Sequence, residues 1–286
     1  MAWSEAPAAG RPAGVGNWPP GGPALQLPDL AILALVEGVA DILPIDASAH
    51  GLLVSRLAGW RAGTIGAAVH LGVGAALLLY LWRDIGAIGL GLWRLRKGRV
   101  DPGAVLLFKA LVAAAPWIVA TSLVLAVPVA GLGDLAVVGA VTIVAAVIML
   151  VVDRMSMTVK RIEHLEGANA LVIGILQLLG LVPGVGRVAV ALTVARLFGL
   201  ERPDAYRFVL LANLPILLAD GLSRSVQYSL QGLRPADSDV LVFAATFGLV
   251  LLAVSLTMAW VRRSGLGLFS LYRLCLGGAL IALALV

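Results

Sequence analysis

Glu37, Asp41, Asp46 and His50 fall within one fifteen-residue stretch, VEGVADILPIDASAH, whose other residues are mostly apolar. Glu37 and Asp41 are four residues apart, so on a helix they share a face. Two carboxylates on one face either bind a hard cation such as Mg2+ or Ca2+, which prefers oxygen ligands, or neutralise nearby arginines. Asp46 and Ser48 follow Pro44, where either one suits the N-cap of a new helix. Capping does not account for His50. An imidazole in that place is either a hydrogen-bonded core group or an acid/base group that titrates near neutral pH.

A second set of residues lies far along the chain: Gln177, then Pro183-Gly184-Val185-Gly186-Arg187. Glycines let backbone approach a ligand closely, N–H groups at a helix start favour anions, and a guanidinium matches phosphate. Gln177, Gly184, Gly186 and Arg187 are thus candidate substrate-binding residues, with Arg187 otherwise serving as a structural partner of Glu37 or Asp41. The two sets together suit a phosphate-bearing amphiphile. Cleaving a diphosphate requires charge neutralisation and a placed nucleophile. Moving one across a membrane requires the same recognition without the nucleophile.

These residues must be positioned by membrane-spanning helices. Of 286 residues, 60% are hydrophobic and 13% charged, against about 25% charged in soluble domains. Apolar stretches of about 20 residues cross a bilayer as helix, and such stretches run over 64–82, 105–127, 135–152, 205–222, 241–261 and 266–286. Two more, 30–57 and 169–198, are broken at Pro44 and at Pro183-Gly184. Backbone freed by a break must be buried in protein or line a wet cavity, so both read as re-entrant hairpins. The chain is therefore expected to be an all-α polytopic membrane protein of about six spans. Residues 1–28, rich in Pro, Gly and Ala without an uninterrupted apolar core, read as a flexible tail rather than a cleaved signal peptide. Residues 29–286 read as a single membrane domain.

The basic residues sit in short connections. Residues 83–99 contain Arg83, Arg94, Arg96, Lys97 and Arg99, and 154–161 contain Arg154, Lys160 and Arg161, while 128–134 has none. The positive-inside rule makes the two basic connections cytoplasmic. The hairpins then insert from opposite sides, giving an inverted-topology repeat of 29–153 and 168–286, a layout that gathers broken-helix tips near the midplane. The net charge of +5 is accounted for by topology and anionic lipid contacts, and nucleic-acid binding is excluded. Cys275 is the only cysteine, so no intrachain disulfide forms.

The chain resembles the membrane undecaprenyl-pyrophosphate phosphatases of the bacitracin-resistance type. That family carries motifs like E-G-x-x-E-F-L-P-[IV]-S-S-[ST]-G-H and P-G-[TS]-S-R-S-G-A-T, and here the text is EGVADILPIDASAH and PGVGRVAVA. The likeness continues through HLGVGAALLLYLWRDI, GILQLLGLVPG, ARLFGLERPDAYRFVLLANLPILLADGL and SLYRLCLGG, from about residue 30 to the C-terminus. It implies removal of the terminal phosphate of undecaprenyl diphosphate in bacterial envelope synthesis, in the plasma membrane, with a divalent cation and an externally facing site. Glu37, His50 and Arg187 match the family's first glutamate, histidine and arginine, and Asp41 stands for the second glutamate. The paired serines become Asp46 and Ala47, the latter at the family's proposed nucleophile, and the serines flanking the arginine become Gly186 and Val188.

The expected roles follow: Glu37 and Asp41 hold Mg2+ or Ca2+ and diphosphate, His50 acts as acid/base, and Arg187 clamps phosphate. The nucleophile is Asp46 through an acyl-phosphate, Ser48 activated by His50, or metal-bound water. Expected partners are the polyprenyl lipid and the membrane, with a second copy of the chain as a candidate. The rival expectation is a transporter or flippase of polyprenyl phosphate, which the lost serines and the inverted repeat favour.

Overall fold

The computed structural model describes residues 27–58, 66–123, 133–157, 160–230, 232 and 237–285. The expected tail, up to residue 26, lies outside the described residues, as does most of the basic-free connection 128–134. The described residues form helices and no strand: α1 Leu27–Ala34, α2 Ala47–Ala58, α3 Gly66–Tyr80, α4 Trp82–Leu95, α5 Pro102–Leu123, α6 Leu135–Met155, α7 Gly167–Leu176, α8 Arg187–Leu197, α9 Arg202–Leu230, α10 Asp237–Arg263 and α11 Gly267–Ala284. Helices α5, α6, α9, α10 and α11 are each long and apolar enough to cross a membrane. Leu78, Phe108, Ile148, Leu252 and Leu271 are exposed on the outside, as lipid-facing side chains are. Helix α9 is the central one: 67% of its most apolar window is buried, against 22–28% in the other four.

The sixth expected span, 64–82, takes the form of a bent pair, α3 and α4, which together are long and apolar enough to cross. Helix α3 has 15 residues, fewer than the roughly 20 that cross a bilayer core. Part of the expected basic connection 83–99 is instead helix α4, bent 79° from α3. Its sequence reads as a loop because Arg83, Arg94 and Arg96 interrupt the apolar run. What keeps it helical is tertiary: Asp84 pairs with Arg207 on α9, and Gly91 and Gly103 bring the backbones of α4 and α5 into contact, leaving no room for a Cβ.

Both expected breaks are present. Pro44 supplies no N–H and its ring clashes with the carbonyl four residues back, so the first helix cannot run through it. Helix α1 passes into a π-helical turn, Leu35–Val39, and the chain turns over 41–45 before α2 begins. In the second segment α7 tightens into a 3-10 turn, Gln177–Leu181. The chain then turns at Pro183-Gly184 and restarts as α8.

The helices pack with an exchange symmetry. Helices α3, α5 and α6 follow the first break, and α9, α10 and α11 follow the second. Exchanging the sets turns the α3–α10 interface into the α9–α5 interface, and both are present. It turns α6–α11 into itself. There Gly139 and Gly277 meet reciprocally: a Cβ on either would lie 2.6 Å from the other's carbonyl oxygen and 2.7 Å from Ile281 or Ile143. Gly139 faces Gly277, Leu150 faces Gly267 and Asp153 faces Gly265, so the two helices run antiparallel. Gly74 against Leu218 and Gly221 against Leu71 make α3 and α9 antiparallel too. Equivalent elements that meet antiparallel lie on a two-fold axis perpendicular to the helices, which is the geometry of an inverted repeat.

Arg196 and Arg202 converge on Asp153. Its Oδ1 accepts from Arg196 Nε at 3.1 Å and Arg202 Nε at 2.8 Å, and its Oδ2 from the N–H of Leu266 at 2.9 Å. One carboxylate thus fastens the ends of α6 and α8 to the starts of α9 and α11.

Candidate functional site

The breaks meet tip to tip. Gly184 and Gly186 have φ of +94° and +78°, a region that glycine enters without steric cost. The backbone of Gly186 lies directly on the Ile45 carbonyl and Asp46 Cα, and that of Gly184 on Val138 and Thr142 of α6. Replacing Gly186 by Ala is expected to cost about 1–2 kcal/mol through backbone strain alone, with the contact to Ile45 adding to it. Thermal unfolding in detergent reads the loss, and an unchanged midpoint contradicts this geometry.

Asp46 joins the tips. Its Oδ2 accepts from the Ser48 hydroxyl at 2.5 Å, the Ala49 N–H at 2.7 Å and the Gly184 N–H at 2.8 Å. The first half of this is the expected N-cap of α2. The last bond crosses to the other hairpin. Asp46 is 3% exposed, and a buried carboxylate requires a counter-charge. Arg273 of α11, wholly buried, supplies it. Its Nη2 also donates to the carbonyls of Gly184 and Val185 at 2.8 and 2.7 Å.

His50 sits one turn into α2. Its Nδ1 lies 2.5 Å from the Asp46 carbonyl and its Nε2 2.6 Å from the Tyr272 hydroxyl, with the two rings stacked 8° from parallel. A carbonyl can only accept, so Nδ1 carries the proton and Nε2 accepts from Tyr272. Both nitrogens are engaged.

Arg187, the first residue of α8, reaches across to Asp41, its Nη2 donating to both carboxylate oxygens at 2.9 Å. The guanidinium lies 4.8 Å from the ring centroid of Trp117 on α5. Its Nη1 is buried without a hydrogen-bond partner, leaving donors for an incoming anion. Gly186 has no side chain with which to cap α8, so the first N–H groups of that helix stay available to an anion as well.

The first break is held from α9. Tyr206 donates to the Ile42 carbonyl at 3.0 Å and Asn213 to the Asp41 carbonyl at 3.3 Å, both from buried positions. Glu37 lies in the π-helical turn and is partly buried, and such turns recur at functional sites. Gln177, placed above among the substrate ligands, is 3% exposed and donates to the Ala113 carbonyl on α5 at 2.5 Å, which fixes the second hairpin against α5.

Among the described residues no three His, Cys, Asp or Glu side chains converge as a metal cage. Mg2+ is commonly held by one or two carboxylates with substrate phosphates completing its shell. Asp41, its side chain 23% exposed and paired with Arg187, fits that mode with Glu37 as the second carboxylate.

Sequence reasoning missed Arg273, Tyr272, Asn213 and Tyr206. Each lies in a stretch that carries the family likeness, and each is a polar side chain inside an apolar span, the signal that marks intramembrane function.

Residues 30–279 match the family model described as "Bacitracin resistance protein BacA". A protein of Rhodospirillum rubrum named undecaprenyl-diphosphatase 1 is 40% identical over 272 residues, 91% of this chain and 96% of the relative. A protein of the same name from Paramagnetospirillum magneticum is 35% identical, covering 89% and 96%. The undecaprenyl-diphosphatase of Ruegeria pomeroyi is 32% identical, covering 91% and 99%.

Proposed function

The chain belongs to the family of the bacitracin resistance protein BacA, and on that premise we propose that it hydrolyses undecaprenyl diphosphate to the monophosphate and inorganic phosphate. The observation that carries this reading is Arg187: a buried guanidinium with an unpartnered Nη1, paired across the hairpins with Asp41 and set at an uncapped helix start. Such an arrangement stabilises charge spread over phosphoryl oxygens in a loose transition state, where most of the catalytic effect is electrostatic. The α8 N-terminus and Arg187 hold the terminal phosphate. Asp41 orients the guanidinium, and the His50–Tyr272 pair shapes the wall beside Ser48. The lipid chain extends between helices into the bilayer, because the site lies within a helical membrane domain.

Glu37 and Asp41 would hold a divalent cation, Mg2+ or Ca2+, which when bound neutralises diphosphate oxygens. Glu37→Gln and Asp41→Asn are each expected to raise the Mg2+ concentration for half-maximal phosphate release at least about tenfold. An unchanged requirement in both places the cation elsewhere. The membrane is the bacterial plasma membrane with the site on its external face, where the positive-inside count puts the first hairpin. Pairing of two copies through exposed apolar helix faces belongs to the same reading.

A second reading, transport of polyprenyl phosphate between leaflets, is favoured by the exchange symmetry of α6 and α11, since alternating access commonly uses inverted repeats. Phosphate release by pure protein, run beside leaflet redistribution of labelled polyprenyl phosphate in liposomes, separates the two. Release without redistribution supports the phosphatase. Redistribution faster than in empty vesicles, without release, supports the transporter.

A further inference from the structure

We propose that Ser48 is the nucleophile that takes the terminal phosphoryl group and that Asp46 receives its proton, an inference that rests on the phosphatase reading. The family's serine position is Ala47 here, and a methyl group cannot attack phosphorus. Between residues 41 and 50 the one hydroxyl is that of Ser48, and between 182 and 188 there is none. The neighbouring hydroxyls are committed: Thr142 donates to Val138, Thr193 to Ala189, and Tyr272 to His50. Ser48 is exposed while Asp46 is buried, so the hydroxyl presents itself to a ligand with the carboxylate behind it.

The hydrogen bond fixes the direction of proton transfer. Asp46 Oδ2 takes two backbone N–H groups besides the hydroxyl, so it carries no hydrogen and Ser48 must be the donor, at 2.5 Å. The Gly184 N–H lies 3.4 Å from the serine oxygen, which leaves a lone pair of that oxygen for attack. The same contacts remove the other candidates. Asp46 Oδ2 is crowded by three donors at a residue 3% exposed, so it does not reach a substrate phosphorus. His50 has no nitrogen left for Ser48. A loose phosphoryl transfer needs only modest activation of its nucleophile, and an aspartate that accepts a hydroxyl proton suffices.

In the first step the Ser48 Oγ–P bond forms, the bridging P–O bond breaks, and lipid monophosphate leaves with the bridging oxygen. The serine proton passes along the hydrogen bond to Asp46, which holds it while the lipid monophosphate leaves unprotonated. In the second step water attacks the phosphoserine, Asp46 returns its proton to Oγ, and inorganic phosphate leaves carrying both water protons.

The test is a single turnover of undecaprenyl diphosphate, labelled at its terminal phosphate, by the purified full chain, acid-quenched and read by mass spectrometry of the peptide carrying Ser48. The expected result is label on Ser48 that forms and decays with phosphate release. Ser48→Ala should lose the label and at least about 1,000-fold in rate, Ser48→Thr should restore both to within about tenfold, and Asp46→Asn should slow label formation about 100-fold. Ser48→Gly repeats the deletion should Ser48→Ala not fold. A folded hydroxyl-free variant that releases phosphate within about tenfold of wild type overturns the Ser48 assignment and leaves the phosphatase standing. A wild type that releases no phosphate overturns both.

Discussion

Arg187→Ala is expected to lower kcat/KM for phosphate release about 1,000-fold, near 4 kcal/mol of lost transition-state stabilisation. The guanidinium keeps a donor that no protein acceptor holds: Nη2 is on Asp41 and Nη1 has no partner. A diphosphate that reaches it therefore gains a charge-assisted hydrogen bond from that donor. Arg187→Lys restores the charge but neither the planar fork nor the stacking on Trp117, 4.8 Å away, so it should recover only part of the rate. Asp41 stays hydrated in the alanine variant because its side chain is 23% exposed. Its unfolding midpoint should accordingly fall little, which separates a binding defect from a folding one. Equal activity of wild type and Arg187→Ala removes the arginine from the site.

The second large effect is on stability. Arg273→Met keeps the volume but strips the counter-charge from Asp46 and the donors from the Gly184 and Val185 carbonyls. Leaving a buried charge without its counter-charge typically costs about 3–5 kcal/mol. The second tip should loosen, lowering both the thermal midpoint in detergent and the activity. Adding Asp46→Asn to Arg273→Met removes the stranded charge and should restore part of the loss. If the double variant is as unstable as the sum of the singles, the two charges do not interact.

The breaks and the residues at their tips could be read from the sequence because their signals are local. Pro44 and Pro183-Gly184 interrupt apolar runs by rules that need no partner, and Glu37, Asp41, His50 and Arg187 stand out as polar groups in such runs. The tip-to-tip bond from Gly184 to Asp46 spans 138 positions, and nothing local in either motif encodes it. Arg273 was passed over for a related reason. A single arginine within an 18-residue apolar helix reads as an interruption of a span until its contacts with Gly184 and Val185 are seen. Helix α4 was obscured the other way, since its basic residues look like a connection and its helical state depends on α5 and α9. The pairing of Ser48 with Asp46, rather than with His50, likewise depends on rotamers and on Tyr272, 222 positions from His50.

The central claim is that the two tips form one site that cuts a lipid diphosphate. Release of inorganic phosphate from undecaprenyl diphosphate by the purified wild-type chain with Mg2+ tests it most directly, with Arg187→Ala as the reference. Release at least about 1,000-fold faster than in the variant is the expected result. A wild-type rate no greater than that of Arg187→Ala would contradict it.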